Sequence, residues 1–380
     1  MGLTMASIKR RDNGKWRARY RDHDGKEHAR HFDKRIDAET WLDAVKSSFI
    51  TGTYVDPRAG KVTLQSWFDQ WSATKVWAKT TMTQAEYAVK STPFLDKELR
   101  RITHAEVQGW VKSQTVPTGT RAAGLSPATI ETRHKFVSMC FAAAVKERLI
   151  SHNPAEGVQL PRKRRRAAAM TVPTPGEVRA LLEASDDYFR SFISVAAFAG
   201  LRLGEVAGLR VGDVDFLRKT ITVERQVQGE SNTDQYVVPP KDGSERVVFV
   251  PEALTVILSQ HLTSFGAWHD KDGNQWMFTN GGGLFVRKSA AQRFRTIRRR
   301  AGLEEFTLHD LRHFFASGLI SQGCDVVTVQ RALGHSAPSV TLDVYSHMWP
   351  SAEDKTRAAA GTIMGEVLET AADSWRTREV

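Results

Sequence analysis

Between Thr307 and His347 the chain carries its own helix start and stop signals, and that punctuation leaves the segment few ways to fold. Thr307 followed three residues later by Asp310 resembles a capping box and predicts a helix start. Leu308, Leu311, Phe315 and Leu319 then fall on one helical stripe, the side expected to be buried. His309, Arg312 and His313 lie three and four apart, so they share a different face at one end of that helix. Gly323 can stop the helix, Asp325 can cap the next, and Gly334 ends that one. His335 follows Gly334 directly, on a backbone held between short helices. A further segment opening at Pro338 or Ser339 carries Tyr345.

Two imidazoles, a guanidinium and a phenol suit phosphodiester chemistry. A phosphodiester under attack gains charge on its non-bridging oxygens, and arginine meets those with a planar fork of donors. Histidine donates to phosphate oxygens or moves protons near neutral pH, and tyrosine can hold a covalent phosphoester. Taken singly, each residue also has a plain structural reading: His309 and Arg312 can cap and pair, and Tyr345 can be a half-buried aromatic.

Their order and spacing together resemble the catalytic core of the tyrosine recombinases, specifically the phage-type integrases. That family's pattern is an Arg in a Leu-Arg-x-x-Glu setting, a Lys on a β-hairpin, His-x-x-Arg-His, Leu-Gly-His and a C-terminal Tyr. This chain supplies Leu201-Arg202-Leu203-Gly204-Glu205, His309 through His313, Leu333-Gly334-His335 and Tyr345. The resemblance covers about the last half of the chain. It implies that Arg202 and Arg312 hold a scissile phosphate, that His309 and His335 assist by hydrogen bonding and proton transfer, and that Tyr345 is the nucleophile. The family's hairpin lysine carries over to Lys241, in the turn Lys241-Asp242-Gly243 of the second hairpin, with Lys219 as a competitor.

A formal charge of +11, from 54 Lys+Arg against 43 Asp+Glu, favours a polyanionic partner, of which nucleic acid is the commonest. Cys140 and Cys324 are the only two cysteines and have neither metal-ligand nor disulfide-framework spacing, which fits a reducing cytoplasm. No apolar run is long enough to span a bilayer, no signal peptide opens the chain, and Ala6 argues against myristoylation. The resemblance implies a covalent link that conserves bond energy, so that no cofactor and no metal is needed; the sequence agrees, with no Gly-rich phosphate loop and no carboxylate cluster for two metals.

At 380 residues the chain has room for two or three domains. Residues 1–60 read as a small β/α unit, with three short strands separated by Asp12-Asn13-Gly14 and Asp24-Gly25 turns and a helix from Asp37 to Phe49. Arg17, Arg19 and Arg21 alternate along Trp16–Arg21 and so line one face. Such a face can enter a groove or follow phosphates, or be a solvated edge. The unit resembles the arm-type DNA-binding domain of many phage integrases. After a linker at Tyr54–Lys61, residues 61–160 read as helical, with Ser126–Arg148 the best marked segment, and resemble the family's core-binding domain. The basic run Arg162-Lys163-Arg164-Arg165-Arg166 lies in a linker, 161–171. It is either plainly solvated or crosses the phosphate backbone.

Residues 172–380 form the third unit. Thr174 to Glu177 is a capping box, Phe189 to Ala199 an apolar helix, and Thr220–Val227, Gln235–Val238 and Arg246–Val250 are strand-like. Arg287 to Arg300 holds seven basic residues and no acidic one, Arg293 among them, around an apolar stripe. That helix suits DNA contact, with a membrane surface as the formal alternative. Ile363, Met364, Val367, Leu368 and Ala371 make a last stripe that packs on its own domain or on a neighbouring protomer.

The expected architecture is multidomain and mainly α: a small β/α N-terminal DNA-binding unit, a helical core-binding domain and an α+β tyrosine-recombinase catalytic domain. The resemblance implies a site-specific recombinase that cuts and rejoins double-stranded DNA at core-type and arm-type sites through a 3′-phosphotyrosyl link and a four-way junction. It also implies a homotetramer on DNA, with accessory DNA-bending or directionality proteins as further partners, in a bacterial cytoplasm. The rivals are a regulator that binds DNA without cutting and a type IB topoisomerase.

Overall fold

The computed structural model describes residues 6–22, 25–52, 54–56, 59–119, 123–162, 172–231, 233–303, 306–349, 357 and 360–365. The chain divides into two compact units, Met1–Arg166 and Ala167–Val380.

The first unit opens with an antiparallel sheet of β1 (Ala6–Arg10), β2 (Trp16–Arg21) and β3 (Glu27–Phe32), backed by α1 (Arg35–Ile50). The β1–β2 turn closes where Gly14 takes φ 77°, a conformation that favours glycine, and donates to the Arg11 carbonyl at 2.9 Å. Side chains alternate along β2. Ala18 and Tyr20 are 0% and 1% exposed and pack on Ala38 and Leu42 of α1, which turns the three arginines to the outer face. The Tyr54 hydroxyl meets that of Tyr20 at 3.2 Å and ties the following segment to this small core.

Among the described residues the helices that follow are α2 (Leu64–Ala73), α3 (Lys79–Lys90), α4 (His104–Ser113) and α5 (Pro127–Lys146). Thr103 and Ser126 cap the last two, each side chain accepting from the backbone N–H three residues on. These helices share a second core rich in aromatics, including Trp67, Phe68, Trp110 and Phe141. The indole of Trp67 donates to the Cys140 carbonyl and that of Trp110 to the Ser91 carbonyl, both at 3.0 Å, so each buried N–H is satisfied.

The second unit is built on α6 (Pro175–Glu183), α7 (Asp187–Phe198), α8 (Leu203–Ala207), β4 (Val214–Asp215), β5 (Thr220–Val223), β6 (Gln226–Gln228), β7 (Tyr236–Val238), β8 (Arg246–Phe249), α9 (Glu252–Phe265), β9 (Trp268–His269), β10 (Gln275–Trp276), α10 (Arg287–Arg300), α11 (Leu308–Ser321), α12 (Val326–Leu333) and α13 (Pro338–Tyr345). Its main core surrounds α7. There Phe189 and Phe192 stack at 4.9 Å and both touch Phe285. Burying each such ring contributes roughly 1.5–3 kcal/mol before entropy is counted. A smaller cluster holds Ala316, Ile320, Val329, Leu333 and Tyr345. Helix α11 belongs to both: Leu308 and Leu311 enter the main core, and Ala316 and Ile320 the smaller one.

One local expectation fails. The run 220–227 is two strands in different sheets, and 235–250 is not a hairpin: β8 pairs with β5, while β7 pairs with β6. The break falls at Glu224 and Arg225, where the Arg225 guanidinium is drawn onto the Asp213 carboxylate and fixes the chain between sheets. Lys241 therefore sits on a single helical turn, Lys241–Gly243, joining strands of separate sheets. Among the described residues no helix is long and apolar enough to cross a membrane. Of the last apolar stripe, Ile363 and Met364 are exposed; Val367, Leu368 and Ala371 lie outside the described residues.

Candidate active site

Arg202 caps α8, at the junction where α7 ends at Phe198. Its backbone N–H donates to Glu205 Oε2 and its Nη1 to Glu205 Oε1, both at 2.8 Å, so the three-residue spacing folds the side chain back on its own helix. Nη1 also donates to Ser244 Oγ at 3.0 Å and Nη2 to the Gly334 carbonyl at 3.3 Å. Glu205 is 2% exposed and is shared with Arg246 at the head of β8, whose Nη2 reaches Oε2 at 2.8 Å. Burial alone would raise the Glu205 carboxyl, but the guanidiniums of Arg246 and Arg202 hold it below the ordinary carboxylate range.

Arg312, on the first turns of α11, is itself buried. Its Nη1 donates to the Gly200 carbonyl at 2.7 Å and its Nη2 to the Leu333 carbonyl at 2.5 Å. Burial and the nearby Arg202 cation press its pKa down, yet a guanidinium stays protonated at neutral pH. Two arginines thus bond to consecutive carbonyls, Leu333 and Gly334, immediately before His335. Gly334 has φ 64° in the left-handed region, and a Cβ there would lie 2.8 Å from Arg246 Cδ. Both backbone and packing call for glycine. Arg246 Nε donates to the Ala332 carbonyl at 3.0 Å, so three guanidiniums fasten the C-terminal end of α12.

The His335 Nδ1 pairs with Thr341 Oγ1 at 2.8 Å, which leaves Nε2 for a ligand. Burial and the cations of Arg312, Arg202 and Arg246 push its pKa to about 4, so the ring is neutral at pH 7. An anionic phosphate would offset those cations and favour protonation. His309 keeps an edge open to solvent, and desolvation with the Arg312 cation lowers its pKa too.

Tyr345 ends α13 and is 1% exposed. Its hydroxyl meets His313 Nδ1 at 2.6 Å, and burial drives the phenol up to about 12. His313, pushed to about 4 by burial and by His309, is neutral, and its Nδ1 can accept a hydrogen bond from that hydroxyl. The rings of His309 and His313 lie 4.7 Å apart, edge to face.

Lys241 is exposed, and its ammonium makes no hydrogen bond or ion pair with a described residue. Its turn is nevertheless tied to Arg202 through Ser244, whose N–H donates to the Lys241 carbonyl at 3.3 Å. Ser244, Arg246 and the His313–Tyr345 contact carry no signal in the sequence beyond a basic residue heading an apolar strand and a second histidine in the motif.

The basic residues singled out for DNA fall in different settings. Arg17, Arg19 and Arg21 share the outer face of β2 and all approach Glu27. Arg162 is exposed, while Lys163 and Arg164 lie outside the described residues. Arg293 turns inward: its Nη2 bonds Asp186 at 2.7 Å and its guanidinium stands over the rings of Tyr188, Phe189 and Phe285. The exposed cations of α10 are Arg287, Lys288, Arg295, Arg299 and Arg300. One metal-like grouping occurs among the described residues, Asp22, His28 and Asp56 in the first unit. Its carboxylates are already taken, with His28 Nε2 at 2.7 Å from Asp22 and Lys26 at 2.5 Å from Asp56, and it serves to pin residues 54–56 to the sheet.

Residues 172–351, which contain every candidate from Arg202 to Tyr345, match the model of the phage integrase family. Residues 5–50 match that of the phage integrase N-terminal domain. The chain is 26% identical over 272 residues to the ICEBs1 integrase of Bacillus subtilis (strain 168), covering 68% of this chain and 70% of that one. Its fold is similar to the Tn1549 transposon integrase solved with transposon right end DNA (TM-score 0.64, 18% identity, 80% of this chain and 100% of that one). It is also similar to a lambda integrase tetramer bound to a Holliday junction (TM-score 0.56, 20% identity, 87% and 96%).

Proposed function

The chain belongs to the phage integrase family and is a site-specific tyrosine recombinase, and from that premise we propose that it integrates and excises phage or other mobile DNA through a 3′-phosphotyrosyl intermediate. The observation that carries the chemical reading is the pair of guanidiniums, Arg202 and Arg312, bonded to consecutive carbonyls directly ahead of His335. This arrangement preorganises positive charge where a phosphate under attack becomes more negative.

In this reading Tyr345 leaves its buried position and its oxygen attacks phosphorus. A neutral imidazole beside the phosphate, that of His309 or of His313, takes the phenol proton as the P–O bond forms. The P–O5′ bond breaks, and Lys241, the one exposed cation on the Ser244-tethered turn, protonates the departing oxygen. His335 donates from Nε2 to a phosphate oxygen. One phosphoester replaces another, so bond energy is conserved and neither a nucleotide nor a metal is needed. The 5′-hydroxyl of a partner strand reverses the step, and two rounds pass through a four-way junction. Four strands are cut, each held by one Tyr345, which calls for four copies of the chain on DNA.

The two ends of the chain divide the binding. The arginine face of β2 takes arm-type DNA, while residues 61–160 and the last unit, joined by the basic run 161–171, take core-type DNA. Linking the sites raises the effective concentration at the second, provided the DNA bends, which is where accessory bending and directionality proteins enter. The reaction takes place where host DNA is, in the bacterial cytoplasm.

Strand joining tests this reading. Two different duplexes, cut from DNA footprinted beside the gene, are mixed with the chain in excess chelator and without nucleotide. Recombinant strands are expected. Nicking and relaxation with no joining between duplexes would place the chemistry with the type IB topoisomerases instead.

A further inference from the structure

The outer face of the N-terminal sheet has a feature that a simple phosphate-tracking surface would lack. Opposed pairs across the sheet set its rows: Lys9, Arg17 and His31; Ser7, Arg19 and Ala29; Arg21 and Glu27. Glu27 is the single acidic residue in the three strands, and it stands among the arginines. Its carboxylate accepts from Arg17 Nη2 at 3.0 Å and from Arg19 Nη1 at 3.5 Å, with Arg21 Nη2 at 4.0 Å. Arg19 is further held by Ser7 Oγ at 2.9 Å, whereas the Arg17 side chain has no other hydrogen bond to a described residue; its Nε is buried, so Nη1 and Nη2 form the fork it can offer.

A carboxylate on such a face repels phosphates and neutralises part of the charge that drives non-specific binding. It also loses water against DNA, which costs free energy unless a donor replaces the water. The major groove offers such donors as exocyclic amines. A C·G pair sets the cytosine N4 amine beside the O6 and N7 acceptors of guanine. An ion-paired glutamate and arginine are the complement of that pattern, an acceptor beside a fork of donors.

We propose that Glu27 and Arg17 together read one C·G base pair, Glu27 accepting from cytosine N4 and Arg17 donating to guanine, so that Glu27 sets the sequence preference of the N-terminal unit. The inference rests on the arm-binding reading above and adds the residue that makes it selective.

The test uses the full chain and a pool of randomised duplexes. Sites bound by wild type and lost by a double variant, Arg17→Ala with Arg19→Ala, belong to this face. Within them one position is expected to prefer C·G over other pairs by about ten- to a hundredfold. Glu27→Gln shifts that position to A·T, because an amide suits adenine N6 and N7. Glu27→Ala leaves it without preference and raises affinity for unselected duplex. If both Glu27 variants enrich the same pair as wild type while the double arginine variant still loses these sites, the inference falls and the arm-binding reading stands. If the double arginine variant binds every selected duplex as tightly as wild type, the arm-binding reading falls and the inference goes with it.

Discussion

Replacing Arg202 by lysine lowers strand cleavage by about two to three orders of magnitude and leaves DNA affinity within a few fold. The charge survives the change, so long-range attraction to the duplex survives with it. The planar fork does not. Arg202 spends Nη1 on Glu205 and Ser244 and Nη2 on the Gly334 carbonyl, and its side chain remains 29% exposed toward a ligand. A lysine ammonium cannot bridge all three partners and still meet two phosphate oxygens. The lost contact matters most when the phosphate carries its extra charge, so the deficit falls on the chemical step. Single-turnover cleavage beside a binding isotherm separates the two. Equal losses in both would make Arg202 a residue of folding or docking only.

The second large effect is on stability. Glu205→Gln is expected to destabilise the second unit by about 3–5 kcal/mol, the range for breaking a buried ion pair from one side. The Glu205 side chain is fully buried and that of Arg246 nearly so, at 6%. An amide offers one oxygen where a carboxylate offers two, and its NH2 group meets a guanidinium donor head on. The pH dependence follows from the sign of the shift. Glu205 titrates lower in the folded chain than unfolded, so its contribution is full above the ordinary carboxylate value and is lost as pH falls through the lower, folded one. The variant's deficit is therefore present at pH 7 and shrinks in acid. Urea unfolding at pH 7 and pH 4 measures both. A loss under about 1 kcal/mol at pH 7 would mean that Arg246 is held by its bonds to the Ala332 and Ser244 carbonyls alone.

Local signals made much of the fold legible. Thr174, Ser126 and Asp325 announce helices that start where expected, because capping is settled by side chains within three residues of the backbone they serve. Gly334 announces the left-handed turn before His335 for the same reason. What escaped depends on contacts far apart in sequence. Nothing near Arg246 says that it shares Glu205, and nothing near His313 says that α13 will return to lay Tyr345 against it. The sequence does not show the strand partners of β7 and β8, because the break at Arg225 is fixed by Asp213, on a different turn. That Arg293 turns inward onto Asp186 is hidden as well, because a basic helix does not show which of its arginines pack. Charge patterns locate such a face, whereas packing decides its members.

The central claim is that Tyr345 is the group that becomes covalently joined to DNA, although the unbound chain keeps it buried against His313. The most direct measurement is trapping on a nicked suicide duplex, in which the cut strand releases a short fragment and cannot be rejoined. Wild type should accumulate a denaturation-resistant adduct whose DNA-bearing peptide contains Tyr345. Tyr345→Phe removes one oxygen and should bind the same duplex while giving no adduct. An adduct that persists in Tyr345→Phe, or maps to another residue such as Tyr236, would contradict the account.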